Sequence, residues 1–408
     1  MPFLHSQDHP VLARLANAHR GEVPPVPDPQ GPPRPPRRLE VFGTGTDWIQ
    51  LTWSRLGPGP VTVRCGDRIS EFVADGGPGS HVVDGLPSAT QLRIELSGPG
   101  IVGEVPRLDA ATLPTPPGEE LSRLATVSDT HLGSRATGYL RTITEIPTPE
   151  VGHTVRCLRA AQTEASIWGA QHLVVKGDLV DESEPDKWRL AADVLGALSI
   201  PVDVIPGNHE AKTHGTIDPY VGAGDAGLHL VDGVRFVDRD GVRIILADTT
   251  RPGRETGDLR HGDEIVAAAA GADRPVFVAI HHQLMRPPIP TYVPVGIGRG
   301  ASRRFLHDLG AANDRTLVTS GHTHRHRRYD LGPVTVTEVG STKDFPGTWA
   351  GYQFFEGGVV QTVRRIGEPT VMRWTDHTRK AALGVWSIWA PGPLESRCFS
   401  RDWSAQGG

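Results

Sequence analysis

Residues 124–131 read LATVSDTH and residues 173–181 read LVVKGDLVD, so that in both segments an apolar run ends in polar side chains. Three later segments have the same form: VDVIPGNHE at 202–210, VFVAIHH at 276–282 and LVTSGHTH at 317–324. Short apolar runs of this kind indicate buried strands. Stretches with helical spacing lie between some of them, for example at Val155, Leu158 and Ala161. Alternating strands and helices predict an α/β fold with a largely buried sheet.

The five polar clusters all follow directly on a predicted strand. In α/β sheets, binding sites form outside the carboxyl ends of the strands, where irregular backbone is free to aim side chains. We therefore expect the clusters to converge on one site.

The converging side chains supply carboxylate, amide and imidazole donors and no thiolate. Such donors suit iron, manganese or zinc at more than tetrahedral coordination. Seven candidate ligands are too many for one ion, whereas a shared carboxylate with separate ligands on each side describes two ions roughly 3.5–4 Å apart. Two ions at that spacing clamp a phosphoryl group and activate water.

The order of these motifs resembles that of the calcineurin-like metallophosphoesterase superfamily: D-x-H, G-D-x-x-D, G-N-H with a following acid, a lone H, and G-H-x-H. The resemblance covers about residues 121–328, with a β extension to about 366. It implies a two-sheet metallophosphoesterase sandwich flanked by helices. It also implies two divalent or mixed-valence transition-metal ions (Mn, Fe or Zn) and a small phosphoester substrate.

The resemblance also assigns the ligands. The first ion is expected on Asp129, His131 and His324, with Asp178 as the bridge. The second ion is expected on Asn208, His281 and His322.

Two further residues match the family's catalytic positions. His209 corresponds to the histidine that contacts the phosphate and protonates the leaving oxygen, and Asp181 is its orienting carboxylate. A carboxylate at that place orients the imidazole and fixes its tautomer.

Departures from subfamily patterns narrow the function. Purple acid phosphatases have a tyrosine ligand where this chain has Asp181. Serine/threonine protein phosphatases have arginines at two positions where this chain has Glu182 and Pro206. The pattern is most similar to bacterial class III cyclic nucleotide phosphodiesterases. We expect a phosphodiesterase or phosphatase acting on small molecules such as cyclic nucleotides. The alternative is a non-catalytic binding scaffold that retains the fold.

The rest of the chain divides by composition. Residues 1–38 include the run PPVPDPQGPPRPPRR and predict an extended arm. Residues 39–107 alternate in short runs between Gly/Pro turns, predict a small all-β sandwich and resemble a fibronectin type III domain. Residues 108–119 predict a linker and 120–366 the metallophosphoesterase domain. Residues 367–408 form a Trp-containing tail that we expect to pack back on a domain.

Bulk properties exclude several classes of function. With a net charge of −5, the chain lacks the overall positive charge that sequence-independent nucleic-acid binding requires. The sequence has no apolar run long enough for a membrane span, and the first residues lack the apolar core of a signal peptide, so we expect a soluble cytoplasmic protein. The three cysteines are widely spaced and predict buried free thiols. The oligomeric state cannot be read from the sequence.

Several residues near the motifs have two interpretations. His282 is a substrate contact or a packing residue, because only one of two neighbouring histidines can face the ions. The run at 325–328, RHRR, is interpreted as a solvated face rather than an anion site, and Asp248 as a turn carboxylate. His153, His172, His214 and His229 are assigned to surface or core. The long gap at 134–152 predicts a lid or rim loop.

Overall fold

The computed structural model describes residues 35–138, 141–145, 150–211, 216–286 and 293–403. The predicted arm lies outside these ranges except for its last four residues, and His214 and parts of the 134–152 insertion lie outside them as well.

The N-terminal β-rich region (residues 39–111) contains two antiparallel sheets. In spatial order the first is formed by Glu40–Thr44, Trp48–Trp53 and Gly79–Asp84. The second is formed by Arg68–Ala74, Gly59–Cys65, Gln91–Ser97 and Leu108–Ala111. The last strand lies within the segment predicted as a linker. Alternate burial along Gln91–Ser97 shows one face packed inward and one in solvent. The likeness to fibronectin type III stays a prediction.

The two-sheet region (residues 120–403) contains two six-stranded sheets within the described chain. The first sheet has, in spatial order, strands Val202–Ile205, His172–Lys176, Glu120–Val127, Thr348–Phe355, Gly358–Arg365 and Phe399–Asp402. The second has strands Val234–Arg239, Val242–Ala247, Val276–Ala279, Thr316–Ser320, Val334–Glu338 and Arg327–Leu331. A short hairpin, Ala136–Thr137 with Ile143–Thr144, stands apart from both.

Helices cover the outer faces of both sheets. The longer ones are His153–Trp168, Pro185–Leu195, Pro219–Asp225, Gly262–Ala270, Arg299–Ala312 and Pro369–His377. Shorter helical segments are Asn208–Ala211, Thr378–Gly384, Trp386–Trp389 and Leu394–Arg397. The predicted α/β class, with two sheets flanked by helices and a β-rich region before them, is confirmed.

The two-residue period of the strands divides the core into layers. Leu124 and Val174 face the second sheet, in one cluster with Phe277 and Leu317. Their neighbours along the strands, such as Val175, face the outer helices instead. A third cluster lies between the second sheet and helices 262–270 and 299–312. The sheets are therefore buried on both faces, which explains their continuous apolar runs.

The β-rich region is joined to the two-sheet region by core packing and hydrogen bonds. Phe42 is fully buried in the core between the two main sheets. The amide of Gln50 donates to Arg365 O (2.7 Å) and accepts from Arg365 N (2.9 Å). Ser54 donates to Asp376 Oδ1 at 2.8 Å. Contacts of this kind fix one region against the other.

The C-terminal segment returns to the first sheet. Strand Phe399–Asp402 pairs antiparallel with Gly358–Arg365, and Trp403 is buried in the inter-sheet core. Cys65, Cys157 and Cys398 are buried free thiols, as predicted. Within the described ranges, no helix has both the length and the apolar character needed to cross a bilayer.

Candidate metal centre

The strands that precede the polar clusters run parallel to their neighbours. Glu120–Val127, His172–Lys176 and Val202–Ile205 are parallel in the first sheet, and Val276–Ala279 and Thr316–Ser320 are parallel in the second. Their carboxyl ends therefore lie at one edge of each sheet. The loops from the two edges meet, as the sequence predicts.

Local backbone conformation aims the side chains in these loops. Five of the expected ligands have positive φ angles of 47–66°: Asp129, His131, Asp178, His322 and His324. Glycines give them room. A Cβ on Gly207 would lie 2.2 Å from Asp178 Oδ1, and one on Gly321 would lie 1.8 Å from Ser128 Oγ. The glycines of the motifs are thus required by close approach rather than by turn geometry alone.

The first expected set of ligands forms one cluster. His131 Nε2 lies 3.4 Å from His324 Nε2, and His324 Nε2 lies 3.3 Å from Asp129 Oδ1. His131 Nε2 is also 3.6 Å from Asp178 Oδ2. Ligand atoms bound to one transition metal at 2.0–2.2 Å are separated by distances of this order.

The second expected set lies beside it. His281 Nε2 is 3.0 Å from Asn208 Oδ1 and 3.5 Å from Asp178 Oδ1. The rings of His281 and His322 have centroids 5.1 Å apart. His281 Nδ1 pairs with Lys176 O at 2.8 Å, which leaves Nε2 as the nitrogen facing the cluster.

The two oxygens of Asp178 divide between the sets: Oδ2 faces His131 and Oδ1 faces His281. The expected bridging role of Asp178 requires its two oxygens to divide in this way. Buried carboxylate and imidazole groups packed this closely in the described chain fit a pair of cations, because opposite charge compensates their desolvation.

Electrostatics agree with that fit. Burial lowers the pKa of His131 and of His322 to about 3, so both rings are neutral and keep a lone pair for a metal. For His324, burial is outweighed by the charges of Asp344 and Asp129, which raise its pKa to about 10. Positive charge is therefore favoured between His324 and Asp129, where the first ion is expected.

His209 lies at the rim of the cluster and keeps part of its ring exposed. Its Nδ1 is 3.0 Å from Asp181 Oδ1, and its Nε2 is 4.0 Å from Asp178 Oδ2. The second oxygen of Asp181 pairs with Arg141 at 3.0 Å. Arg141 belongs to the 134–152 insertion and its side chain is 57% exposed, so the insertion contributes a cation to the rim. The lid or rim interpretation of the whole insertion stays a prediction.

Three carboxylates that the sequence analysis did not single out support the ligands. Glu255 Oε2 accepts from Asn208 Nδ2 at 2.8 Å, and Asp344 Oδ2 lies 2.9 Å from His324 Nδ1. Glu210 accepts from the main-chain N–H groups of Asp178, Val180 and Gly207. Burial and then the charge of Asp178 raise the pKa of Glu210 to about 7. Its place as the acid after Gly-Asn-His was a signal for this role, whereas Glu255 and Asp344 follow no motif.

His282 is closer to the cluster than a pure packing residue needs to be. One of its ring nitrogens lies within 4.8 Å of ligand atoms of His281 and His322. Its Nδ1 pairs with Thr249 Oγ1 at 3.0 Å, and its Nε2 has no hydrogen-bond partner among the described residues. His282 is therefore a further candidate ligand for the second ion.

The solvated-face interpretation of residues 325–328 is wrong for its first half. Arg325 is 4% exposed and His326 is fully buried. Arg325 Nη2 donates to Val293 O at 2.7 Å, and His326 Nδ1 accepts from Gly340 N at 3.2 Å. Each side chain thus has a main-chain partner inside the protein.

The remaining residues occupy turn, core or surface positions. Asp248 accepts from Thr250 N at 2.7 Å, as expected of a turn carboxylate, but it is also buried and paired with Arg260. His153 and His172 are buried, and His229 is exposed.

The fold and this donor set together define an α/β sandwich protein with a candidate site for two metal ions. The sequence pattern of the calcineurin-like phosphoesterase family matches residues 122–326, and the chain belongs to that family.

Similar proteins carry related names. The chain is 30% identical over 184 residues to a glycerophosphodiester phosphodiesterase, GpdQ, of Enterobacter lignolyticus, an overlap of 42% of this chain and 62% of that one. It is 26% identical over 182 residues to a probable cyclic nucleotide phosphodiesterase of Psychrobacter arcticus, with the same shares covered. The chain thus spans about six tenths of the length of these relatives. A purple acid phosphatase structure from yellow lupin (Lupinus luteus) aligns with a TM-score of 0.44 and 13% identity, over 82% of this chain and 72% of that one.

Proposed function

We propose that the chain hydrolyses phosphoesters of small molecules at a pair of transition-metal ions, Mn, Fe or Zn. One observation carries the proposal: the two oxygens of Asp178 face separate ligand sets at 3.6 and 3.5 Å. Asp129, His131 and His324 would hold one ion, and Asn208, His281 and His322 the other. When bound, such a pair supplies charge for the phosphoryl group and an activated water.

The chain's own residues would handle the leaving group. In the doubly protonated ring, Asp181 accepts from His209 at Nδ1, and the proton on Nε2 would pass to the departing oxygen. His209 thus acts as general acid, and Asp181 holds the ring in the productive tautomer.

The substrate class follows from the relatives and from the rim. Both relatives are named for phosphodiesters of small molecules. Arg141 places one cation beside the proposed general acid, in addition to the charge of the ions. We therefore propose small phosphodiesters, such as glycerophosphodiesters and cyclic nucleotides, ahead of phosphomonoesters.

A substrate panel tests this function. Nitrophenyl monoesters and diesters, a glycerophosphodiester and cyclic nucleotides are each incubated with the full chain and Mn²⁺, Fe²⁺ or Zn²⁺. The expected result is turnover that requires added metal and that is lost in Asp178→Ala. Failure to hydrolyse any ester with any metal would favour the binding-scaffold alternative.

A further inference from the structure

The turn formed by Lys343, Asp344 and Phe345 lies against His324, one of the proposed metal ligands. His324 Nδ1 is 2.9 Å from Asp344 Oδ2, while His324 Nε2 is 3.3 Å from Asp129 Oδ1. With its Nδ1 proton donated to Asp344, the ring has Nε2 directed at the proposed first ion. A carboxylate in this place fixes both the tautomer and the orientation of a ligating imidazole.

Asp344 is itself held from two sides. Thr137 Oγ1 donates to Asp344 Oδ2 at 3.0 Å, and Lys343 Nζ lies 3.2 Å from the same oxygen. Lys343 and Asp344 are both 5% exposed. A buried carboxylate with this many donors has little freedom to rotate away from His324.

The C-terminal segment holds the main chain of the same turn at three points. Trp374 Nε1 donates to Lys343 O at 2.6 Å, and Trp386 Nε1 donates to Phe345 O at 3.0 Å. Thr378 Oγ1 accepts from Phe345 N at 2.7 Å. The ring of Trp386 also lies edge-on to His324, with centroids 6.4 Å apart. The segment 374–386 contains no proposed ligand, yet all three bonds converge on the turn beside one.

We propose that Asp344 is the positioning residue for His324 and that the C-terminal segment, through Trp374, Thr378 and Trp386, holds Asp344 in place. The proposal rests on the proposed function, since it takes His324 as a ligand of the first ion. It assigns the tail a role in metal affinity in addition to its role in packing.

A matched pair of variants separates this role from general stability. His172 Nε2 and Asp203 Oδ2 form a buried histidine–carboxylate pair at 2.8 Å, away from the proposed ligands. Asp344→Asn and Asp203→Asn therefore make the same chemical change in two similar pairs. Mn²⁺ is titrated into the metal-free full chain by calorimetry, and the thermal unfolding of each metal-free variant is recorded alongside.

Wild type is expected to bind two Mn²⁺ ions. Asp344→Asn should lower the affinity for one of the two ions about 10–100-fold, which is the usual effect of losing the carboxylate behind a metal-bound histidine. Asp203→Asn should bind both ions as wild type does, even if it unfolds at a lower temperature. Wild-type affinity in Asp344→Asn, or an equal loss in both variants, would overturn the positioning role alone. Absence of Mn²⁺ binding by wild type would overturn the proposed function and this inference with it.

Two neighbouring tryptophans test the tail. Trp386→Phe keeps an aromatic ring and removes the N–H that reaches Phe345 O, whereas Trp389 is 45% exposed and lies in the same short helix. We expect Trp386→Phe to lower the affinity for the same Mn²⁺ ion several-fold and Trp389→Phe to leave that affinity unchanged. Equal affinities in the two variants would refute the role of the tail.

Discussion

Five of the seven proposed ligands have the left-handed backbone conformation, among them Asp178 at φ 51°. That conformation costs a residue other than glycine about 1–2 kcal/mol. It persists only where the surroundings over-determine it. The surroundings of Asp178 fix its backbone in this way, because Glu210 accepts from the N–H groups of Asp178, Val180 and Gly207.

Asp178→Ala should remove most of the metal, because it deletes the oxygens that face both ligand sets. His282→Ala should retain more metal than Asp178→Ala, because it removes at most one candidate ligand of the second ion and leaves Asp178 in place between the two sets. Elemental analysis after reconstitution measures both. Equal loss of metal in the two variants would contradict the bridging role of Asp178.

His209→Ala should keep both ions and lower kcat roughly 10²–10⁴-fold on esters with poor leaving groups. The deficit should shrink for a nitrophenyl ester, because a phenolate leaves with less need for protonation. Asp181→Asn should show a milder form of the same selectivity. An equal loss on both esters, with the ions retained, would reassign His209 as an electrostatic stabiliser.

At the scale of elements, a buried hydrogen-bonded contact ties the insertion to helix His153–Trp168. Glu145 Oε2 accepts from His153 N at 2.9 Å and lies 3.2 Å from His153 Nδ1. The His153 ring stacks on Trp374 with centroids 4.0 Å apart. Burial lowers the pKa of His153 to about 4, despite the opposing effect of Glu145.

The burial of His153 predicts acid lability. Because the folded pKa of His153 lies below the ordinary value of 6.5, its stabilising contribution is complete above pH 6.5 and is lost as the pH falls toward 4. The loss should amount to about 2–3 kcal/mol. Urea unfolding of wild type and His153→Gln between pH 7.5 and 4 gives the free energy of unfolding at each pH. The free energy should fall more steeply with falling pH in wild type than in His153→Gln. His307→Gln, at an exposed histidine, is the control, and a wild-type slope in His153→Gln would contradict the assignment.

At the scale of the whole molecule, the β-rich region contributes to the core of its neighbour. Phe42 is fully buried in the cluster that fills the space between the two main sheets. Arg397 Nε donates to Phe42 O at 2.9 Å, so the C-terminal segment meets the same strand. We infer that the two regions unfold together.

Phe42→Ala should therefore destabilise the entire chain by about 3–5 kcal/mol, the usual cost of emptying a buried phenylalanine site. Phe236→Ala, at a side chain that is 50% exposed, should cost far less. Calorimetry is expected to show one transition that moves to lower temperature in Phe42→Ala only. A separate early transition, with the main one unmoved, would mean that the regions unfold independently.

Prediction from sequence succeeded where the controlling interactions are local. A strand run followed by Asp129 or Asp178 carries its own signal, because strand direction alone places the next side chains at the edge of the sheet. These strand runs and the polar residues after them were enough to predict the α/β class and the convergence of the side chains. The assignment of each ligand to an ion still rests on the family pattern and awaits the variants above.

Residues placed by distant packing gave no such signal. Asp344 lies against His324 in a turn whose main chain is hydrogen-bonded by helical segments 31 to 41 residues further on. Arg325 lies within a run of charges, but it is buried with a main-chain acceptor, Val293 O, from a distant part of the sequence. Neither partner can be inferred from spacing along the chain.

The contact between Gln50 and Arg365 has a consequence for how the two regions can change. Both of its bonds go to main-chain atoms, so the amide of Gln50 imitates the edge of one more strand. The joint does not depend on which side chain position 365 carries, but it does depend on having a donor and an acceptor at position 50. Glutamate there would meet the carbonyl of Arg365 with an acceptor. Any other β-rich region grafted onto these two sheets would need an amide, or a strand edge of its own, at this place.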